Sequence, residues 1–229
     1  MTILDVQHVK KRFGSRIVLS DVNFSVKSGE ILAIIGFSGC GKSTLAKIIA
    51  RLTDFDAGKV ILCGKDISNA VGNEFYRDMQ MIFQNPEESF DPRRTLGASI
   101  AEPIKNFGVK ASVSELLTRV GLNIEYSERF PHEISGGECQ RAAIARAISI
   151  NPKLLICDEA TSALDVTIQA KIIALIKNLC VERRISCIFI THDLKIAKKI
   201  ANRVLVLENG ELKTFSASNF GRKLSETSV

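Results

Sequence analysis

An α/β fold built on a mostly parallel sheet is the architecture this sequence predicts, and three observations carry it. Short apolar runs at residues 31–35, 79–83, 154–158, 186–191 and 204–207 are often β-branched, as strands buried on both faces are. Longer stretches with helical period stand between them: Ile168, Ile172, Leu175, Ile176 and Leu179 form one apolar stripe, and Leu194, Ala197, Ile200 and Ala201 another. A glycine-rich loop follows the first apolar run, where a strand would pass into a helix.

Taken in chain order, residues 3–9 and 22–26 alternate apolar and polar side chains, which predicts antiparallel strands with one solvated face. Residues 58–62 are suited to join them. The run 31–35 enters the glycine-rich loop and a helix over 45–52 leaves it. Between 85 and 150 the pattern turns helical, with breaks at Pro92, Pro103, Gly121 and Pro131, and the strand alternation stops. We read this stretch as an inserted helical lobe. The expected division is one domain: a core over about 1–84 and 151–215, the lobe over about 85–150, and a polar tail at 216–229. A chain of 229 residues is long enough to bury such a core.

Composition narrows the class. Apolar residues make up 45% and charged residues 24%, the balance of a globular protein and not of a disordered one. The longest apolar runs fall far short of the roughly 18 residues that span a bilayer. The first thirteen residues carry Asp5, Lys10, Lys11 and Arg12 and no apolar stretch, so no signal peptide is expected. Six cysteines without C-x-x-C spacing predict reduced thiols, not a metal or disulfide framework. The net charge of +6 is spread along the chain and decides nothing alone.

Gly36-Phe37-Ser38-Gly39-Cys40-Gly41-Lys42-Ser43-Thr44 fits G-x-x-x-x-G-K-[ST], the P-loop pattern. Its glycines let the backbone turn tightly and aim N–H groups at phosphate oxygens. The following helix adds partial positive charge at the same point. Lys42 has the reach for β- and γ-phosphates, and the Ser43 hydroxyl suits Mg²⁺. The pattern recurs by chance in on the order of one random chain per hundred of this length, and the strand and helix flanks reduce that further. Downstream, an apolar strand ends in Asp158 and Glu159. At the carboxyl edge of a parallel sheet, Asp158 suits Mg²⁺ and Glu159 suits the attacking water.

Ile134-Ser135-Gly136-Gly137-Glu138, shortly before that acidic strand, resembles the signature of the ABC ATPase family, usually L-S-G-G-Q. The resemblance runs over roughly residues 3–213 and implies a RecA-like P-loop NTPase core with an N-terminal antiparallel β subdomain and an inserted helical subdomain. It also implies roles. Gln84 resembles the glutamine that senses Mg²⁺ and water, and Asp165 closes a loop, 162–165, that meets an opposite subunit. His192 resembles the switch histidine at the γ-phosphate, and Phe13 the aromatic that stacks on adenine. Ser135, Gly136 and Gly137 would cover ATP bound to a second subunit. Two positions depart from the pattern, Ile134 for Leu and Glu138 for Gln, and an acid there is expected to weaken ATP-driven closure.

On this resemblance the expected cofactors are ATP and Mg²⁺. The expected partners are a second ABC ATPase subunit, identical or related, and separate transmembrane permease subunits that dock on the helical lobe. An extracytoplasmic solute-binding protein would act through the permease, with no nucleic acid involved. The expected location is peripheral, on the cytoplasmic face of the membrane. The segments at 85–93 and 158–170 resemble the oligopeptide, dipeptide and nickel importer branch, and the absence of a longer C-terminal extension leans toward the short, nickel-type subunits or an unusual peptide subunit. The alternatives are a nucleotide-gated ABC module of repair or translation, or an exporter ATPase.

Overall fold

The structure, a computed structural model, describes residues 1–70, 74–161 and 164–215. A hairpin of β1 (Thr2–Phe13) and β2 (Arg16–Lys27) opens the chain, and β3 (Ile31–Ile35) leads into α1 (Lys42–Ile49). After β4 (Ala57–Leu62), β5 (Lys65–Asp66) and β6 (Met79–Ile82) come three helices: α2 (Leu96–Asn106), α3 (Val113–Arg119) and α4 (Gly136–Ile148). The chain then alternates through β7 (Leu154–Asp158), α5 (Val166–Arg183), β8 (Ser186–Thr191), α6 (Leu194–Ile200) and β9 (Arg203–Glu208) to β10 (Glu211–Thr214).

Two sheets result. The first has order β2-β1-β4-β5 and is antiparallel, as the alternation near the N-terminus predicts. The second has order β10-β9-β3-β8-β7-β6, parallel throughout except at its β10 edge. Side chains of a strand alternate between faces, and β7 sorts accordingly. Leu154 and Ile156 pack with Leu45, Ile48 and Ile49 of α1, together with the first sheet. Leu155 and Cys157 face Ile144 and Ile148 of α4 and Ile172 and Ile176 of α5. Ala33 and Ile35 of β3 meet Ala197 of α6. Both faces of the parallel sheet are therefore covered, which is why its strands read as unbroken apolar runs.

Two expectations need correction, and one strand went unpredicted. Pro103 does not break the chain but lies inside α2, where it shares a buried face with Leu96, Ser99 and Ile100. Burial of that face outweighs the one helix bond the ring removes. Helix α1 begins earlier than the expected residue 45, at Lys42 directly after its cap Gly41, and α4 takes Gly136 and Gly137 into its first turn. The pattern also concealed β10, which pairs with β9 through a turn at Asn209 and Gly210. Ser162, Ala163 and the predicted tail at 216–229 lie outside the described residues.

Candidate functional site

Strand register brings the predicted residues to one edge. Ile35 pairs with Thr191, Asp158 with Ile190 and Ile82 with Cys157. The loops after β3, β8, β7 and β6 thus leave the same end of the sheet, carrying Gly36, His192, Glu159 and Gln84. Ligands of open α/β sheets bind at this carboxyl edge.

The loop from Gly36 to Gly41 depends on its glycines for space as well as freedom. A Cβ at Gly36 would stand 2.6 Å from the Leu207 carbonyl oxygen. Gly41 caps α1 at φ +108, and a Cβ there would meet Val18 Cγ1 at 2.8 Å. Lys42 follows and is only 4% exposed. Its ammonium donates to the carbonyl oxygens of Gly36 and Phe37, both at 2.9 Å, and lies 3.6 Å from Glu159 Oε1. A buried cation held by carbonyls of its own loop is placed to exchange them for a stronger anionic acceptor.

The Ser43 hydroxyl donates to Asp158 Oδ1 at 3.0 Å. Asp158 is 4% exposed, and burial pushes its carboxyl above the ordinary range, with the Ser43 bond opposing and the neighbouring Glu159 charge adding. Glu159 has left-handed backbone geometry, φ +46, uncommon for a residue other than glycine. Its N–H donates to the Ile190 carbonyl at 3.1 Å, which holds this strained turn in place. The Glu159 carboxylate lies between Lys42 and His192, whose Nδ1 is 3.8 Å away.

A cavity of about 400 Å³ opens here. Phe13 and Val18 form one wall; Ser38, Gly39, Gly41, Lys42, Ser43 and Thr44 form its floor, and Gln84 and Glu159 close it. Phe13 is 52% exposed, with Lys11 Nζ 4.9 Å from its ring centroid, so it lines the cavity and not the core. A smaller cavity of about 180 Å³ shares Glu159 and holds His192 and Thr191. Cys40 is half-buried against the core beside the loop, its N–H donating to the Phe37 carbonyl at 3.3 Å. Arg16 is a site residue the sequence did not reveal: it lines the larger cavity and donates to the Gly39 carbonyl at 3.1 Å. It belongs to no motif, and only its place three residues after Phe13 hints at it.

Ser135, Gly136 and Gly137 line neither cavity within one chain. They form the start of α4, Ser135 and Gly136 exposed and Gly137 buried, where Ser135 accepts the Glu138 N–H at 3.4 Å. Gly137 packs closely on α5, since a Cβ there would come within 2.9 Å of Ile168 Cγ2. The Glu138 carboxylate accepts from the Ser135 N–H at 2.9 Å, from the Ser135 hydroxyl at 2.7 Å and from the Tyr126 hydroxyl. These bonds, Tyr126 foremost, hold its carboxyl below the usual range. Asp165 caps α5, accepting from the N–H groups of Thr167 and Ile168 at 3.0 and 2.9 Å.

The donor set suits Mg²⁺. Ser43 and Asp158 offer hard oxygens side by side, Gln84 lines the same cavity, and the Asp158 carboxyl is buried beside the Glu159 charge. Among the described residues no three His, Cys, Asp or Glu side chains converge on one point. A magnesium ion there would complete its shell with water and phosphate, as this ion commonly does.

Comparison with known proteins agrees with this geometry. The family profile described as ABC transporter matches residues 19–162. The oligopeptide transport ATP-binding protein OppF of Haemophilus influenzae is 46% identical over 202 residues, covering 84% of this chain and 61% of that protein. The oligopeptide transport ATP-binding protein AppF of Bacillus subtilis is 40% identical over 232 residues, covering 92% of this chain and 70% of the relative. The chain thus spans about three-fifths of the Haemophilus protein's length. Among solved structures, the ATP-binding cassette MJ0796, a dimer in a post-hydrolysis state with ADP and Pi, superposes with a TM-score of 0.81. It is 28% identical and covers 92% of this chain and 97% of that one.

Proposed function

This chain belongs to the ABC transporter family, and from that premise we propose that it binds and hydrolyses ATP to drive import of a small solute through separate transmembrane subunits. The observation that carries the reading is the cluster at the sheet edge, where Lys42, Glu159 and His192 meet beside the Ser43–Asp158 pair. Relatives named for oligopeptide transport support a peptide over nickel as the cargo. No helix among the described residues is long and apolar enough to cross a membrane, so the translocation path falls to partner chains. The chain would work peripherally, at the cytoplasmic face, with a solute-binding protein acting through the permease.

The proposed mechanism follows from the side chains. The triphosphate enters the floor of the larger cavity, where loop amides and the start of α1 favour negative charge. Lys42 leaves the Gly36 and Phe37 carbonyls for phosphate oxygens, and the adenine lies against Phe13. Mg²⁺, held through Ser43, Gln84 and Asp158, would offset charge on the β- and γ-phosphates. Glu159 orients the attacking water and accepts its proton, while His192, across the Glu159 carboxylate, holds the γ-phosphate. The start of α4 on a second subunit covers the same nucleotide, with Ser135 and Gly136 exposed on its surface and Gly137 beneath them. The dimeric arrangement of MJ0796 supports this sandwich. Cleavage removes the γ-phosphate bridge and lets the two subunits part.

The test is Glu159→Gln in the full chain. It keeps size and hydrogen bonding but removes the base, so ATP turnover should fall by on the order of a hundredfold or more, with an ATP-bound dimer accumulating in sedimentation. A turnover number equal to that of the parent would refute the role of Glu159.

A further inference from the structure

Glu138 occupies the signature position where the resemblance expects glutamine, and its carboxylate is tied to Ser135 and Tyr126. Oε2 takes both the backbone N–H and the hydroxyl proton of Ser135, at 2.9 and 2.7 Å, while Oε1 takes the Tyr126 hydroxyl. Ser135 has one hydroxyl proton, and here it is committed to Glu138. To donate to an anion on a second subunit, Ser135 must withdraw that proton from the carboxylate. Glu138 then keeps two donors, the Ser135 N–H and the Tyr126 hydroxyl. Without Tyr126 it would keep one, and the exchange would become harder.

Tyr126 is itself firmly placed. It lies in the turn Ile124–Glu128, and its ring packs against the core of the helical lobe. The turn is fastened to the start of α2: the Leu96 N–H donates to the Arg129 carbonyl at 2.9 Å, and Gly97 sits so close that a Cβ would fall 2.8 Å from the Ser127 carbonyl oxygen. Helix α2 belongs to the helical lobe on which the permease subunits are expected to dock. The Tyr126 hydroxyl therefore joins the lobe's frame to the residue that governs the Ser135 proton.

Building on the ATPase reading, we propose that Tyr126 is a positioning residue: its hydroxyl holds the Glu138 carboxylate at Oε1 and so eases release of the Ser135 hydroxyl to the γ-phosphate. The acid in the signature is tolerated because the tyrosine restrains it. Charge on Glu138 is essential to the idea, which makes the effect of Tyr126 conditional on the residue at 138.

The experiment compares four forms of the full chain, with whichever membrane subunits co-purify: parent, Tyr126→Phe, Glu138→Gln, and both together. ATP hydrolysis is followed across ATP concentrations. Tyr126→Phe should raise KM for ATP about tenfold, the equilibrium equivalent of one hydrogen bond to a charged group, with kcat within about twofold. Added to Glu138→Gln, the same change should move KM by less than about twofold, since no charge remains to restrain. An unchanged KM in Tyr126→Phe, or an equal rise in both backgrounds, would overturn the proposal. So would a fall in kcat and in Tm at constant KM, the mark of a packing role alone. A parent chain that hydrolyses no ATP would overturn both this inference and the reading beneath it, whereas an active parent with those outcomes overturns this one only.

Discussion

At the scale of single residues, the six thiols separate into two groups that chemistry can tell apart. Cys139, Cys157, Cys180 and Cys187 are buried, and burial pushes the Cys139 thiol up to about 12. Cys63 is half-buried, and its thiol is raised by burial with the nearby Asp78 charge adding. Burial shields four of them from reagent, and the thiolate, which is the reactive form, is disfavoured at Cys63, so these five should alkylate slowly. Cys40 is half-buried on the phosphate-binding loop itself, and a Cβ at Gly36 would lie 2.7 Å from its sulfur. Iodoacetamide on the native protein should label Cys40 first, abolish nucleotide binding as it does so, and react several-fold more slowly in MgATP. Mass mapping of the labelled peptides checks this, and equal Cys40 labelling with and without MgATP would remove the loop from the nucleotide site.

At the scale of elements, short helices lean on their caps. Helix α6 has seven residues and begins beside His192. Asp193 accepts from the Lys195 and Ile196 N–H groups at 2.6 and 3.3 Å, while its own N–H donates to Thr191 Oγ1 at 3.0 Å. Asp193→Ala should lower unfolding free energy by about 1 kcal/mol, and Asp193→Asn by much less. Urea titration with an unchanged m-value is the check. The Glu138 cap on α4 adds a pH signature. Its carboxyl is held below the ordinary range in the folded chain, so its stabilisation is complete above that range and fades as pH falls through the lowered value. Glu138→Gln should therefore flatten the acid-side loss of stability below about pH 4.

The same elements show what a sequence can reveal. Buried strands and the site they carry were legible because covering both faces of a parallel sheet demands unbroken apolar runs, and because phosphate binding demands glycines and a lysine in fixed order. Strand β10 was hidden: Asn209 and Gly210 adopt φ of +52 and +78, the turn an Asn-Gly pair favours, but Glu211–Thr214 is too polar to show alternation. Pro103 misled because ring burial depends on α2's neighbours. Of the partners of the Glu138 carboxylate, Ser135 follows from the S-x-x-E spacing, whereas Tyr126, twelve residues earlier and joined only through the folded lobe, was unreadable.

At the scale of the whole molecule, a ligand in the larger cavity touches nearly every layer. Phe13 comes from the antiparallel sheet, Lys42 and Ser43 from α1, Glu159 from the loop after β7, and Gln84 from the link into the lobe. Unfolding any of these layers would release the nucleotide, so binding should stabilise the chain as a unit. At about 100 times its Kd, a ligand adds about 2.7 kcal/mol, which for a domain of this size raises Tm by roughly 5 to 11 °C. The competing explanation is the net charge of +6, which any polyanion would partly neutralise. Lys42→Ala separates the two. It removes one charge of many but the one ammonium held at 2.9 Å by the loop carbonyls, so the Tm difference with and without MgATP should shrink below about 2 °C. Inorganic sulfate at equal ionic strength should leave the parent's Tm nearly unmoved. If Lys42→Ala kept the full shift, the nucleotide would be acting on surface charge, and the cavity at the sheet edge would lose its claim to be where ATP binds.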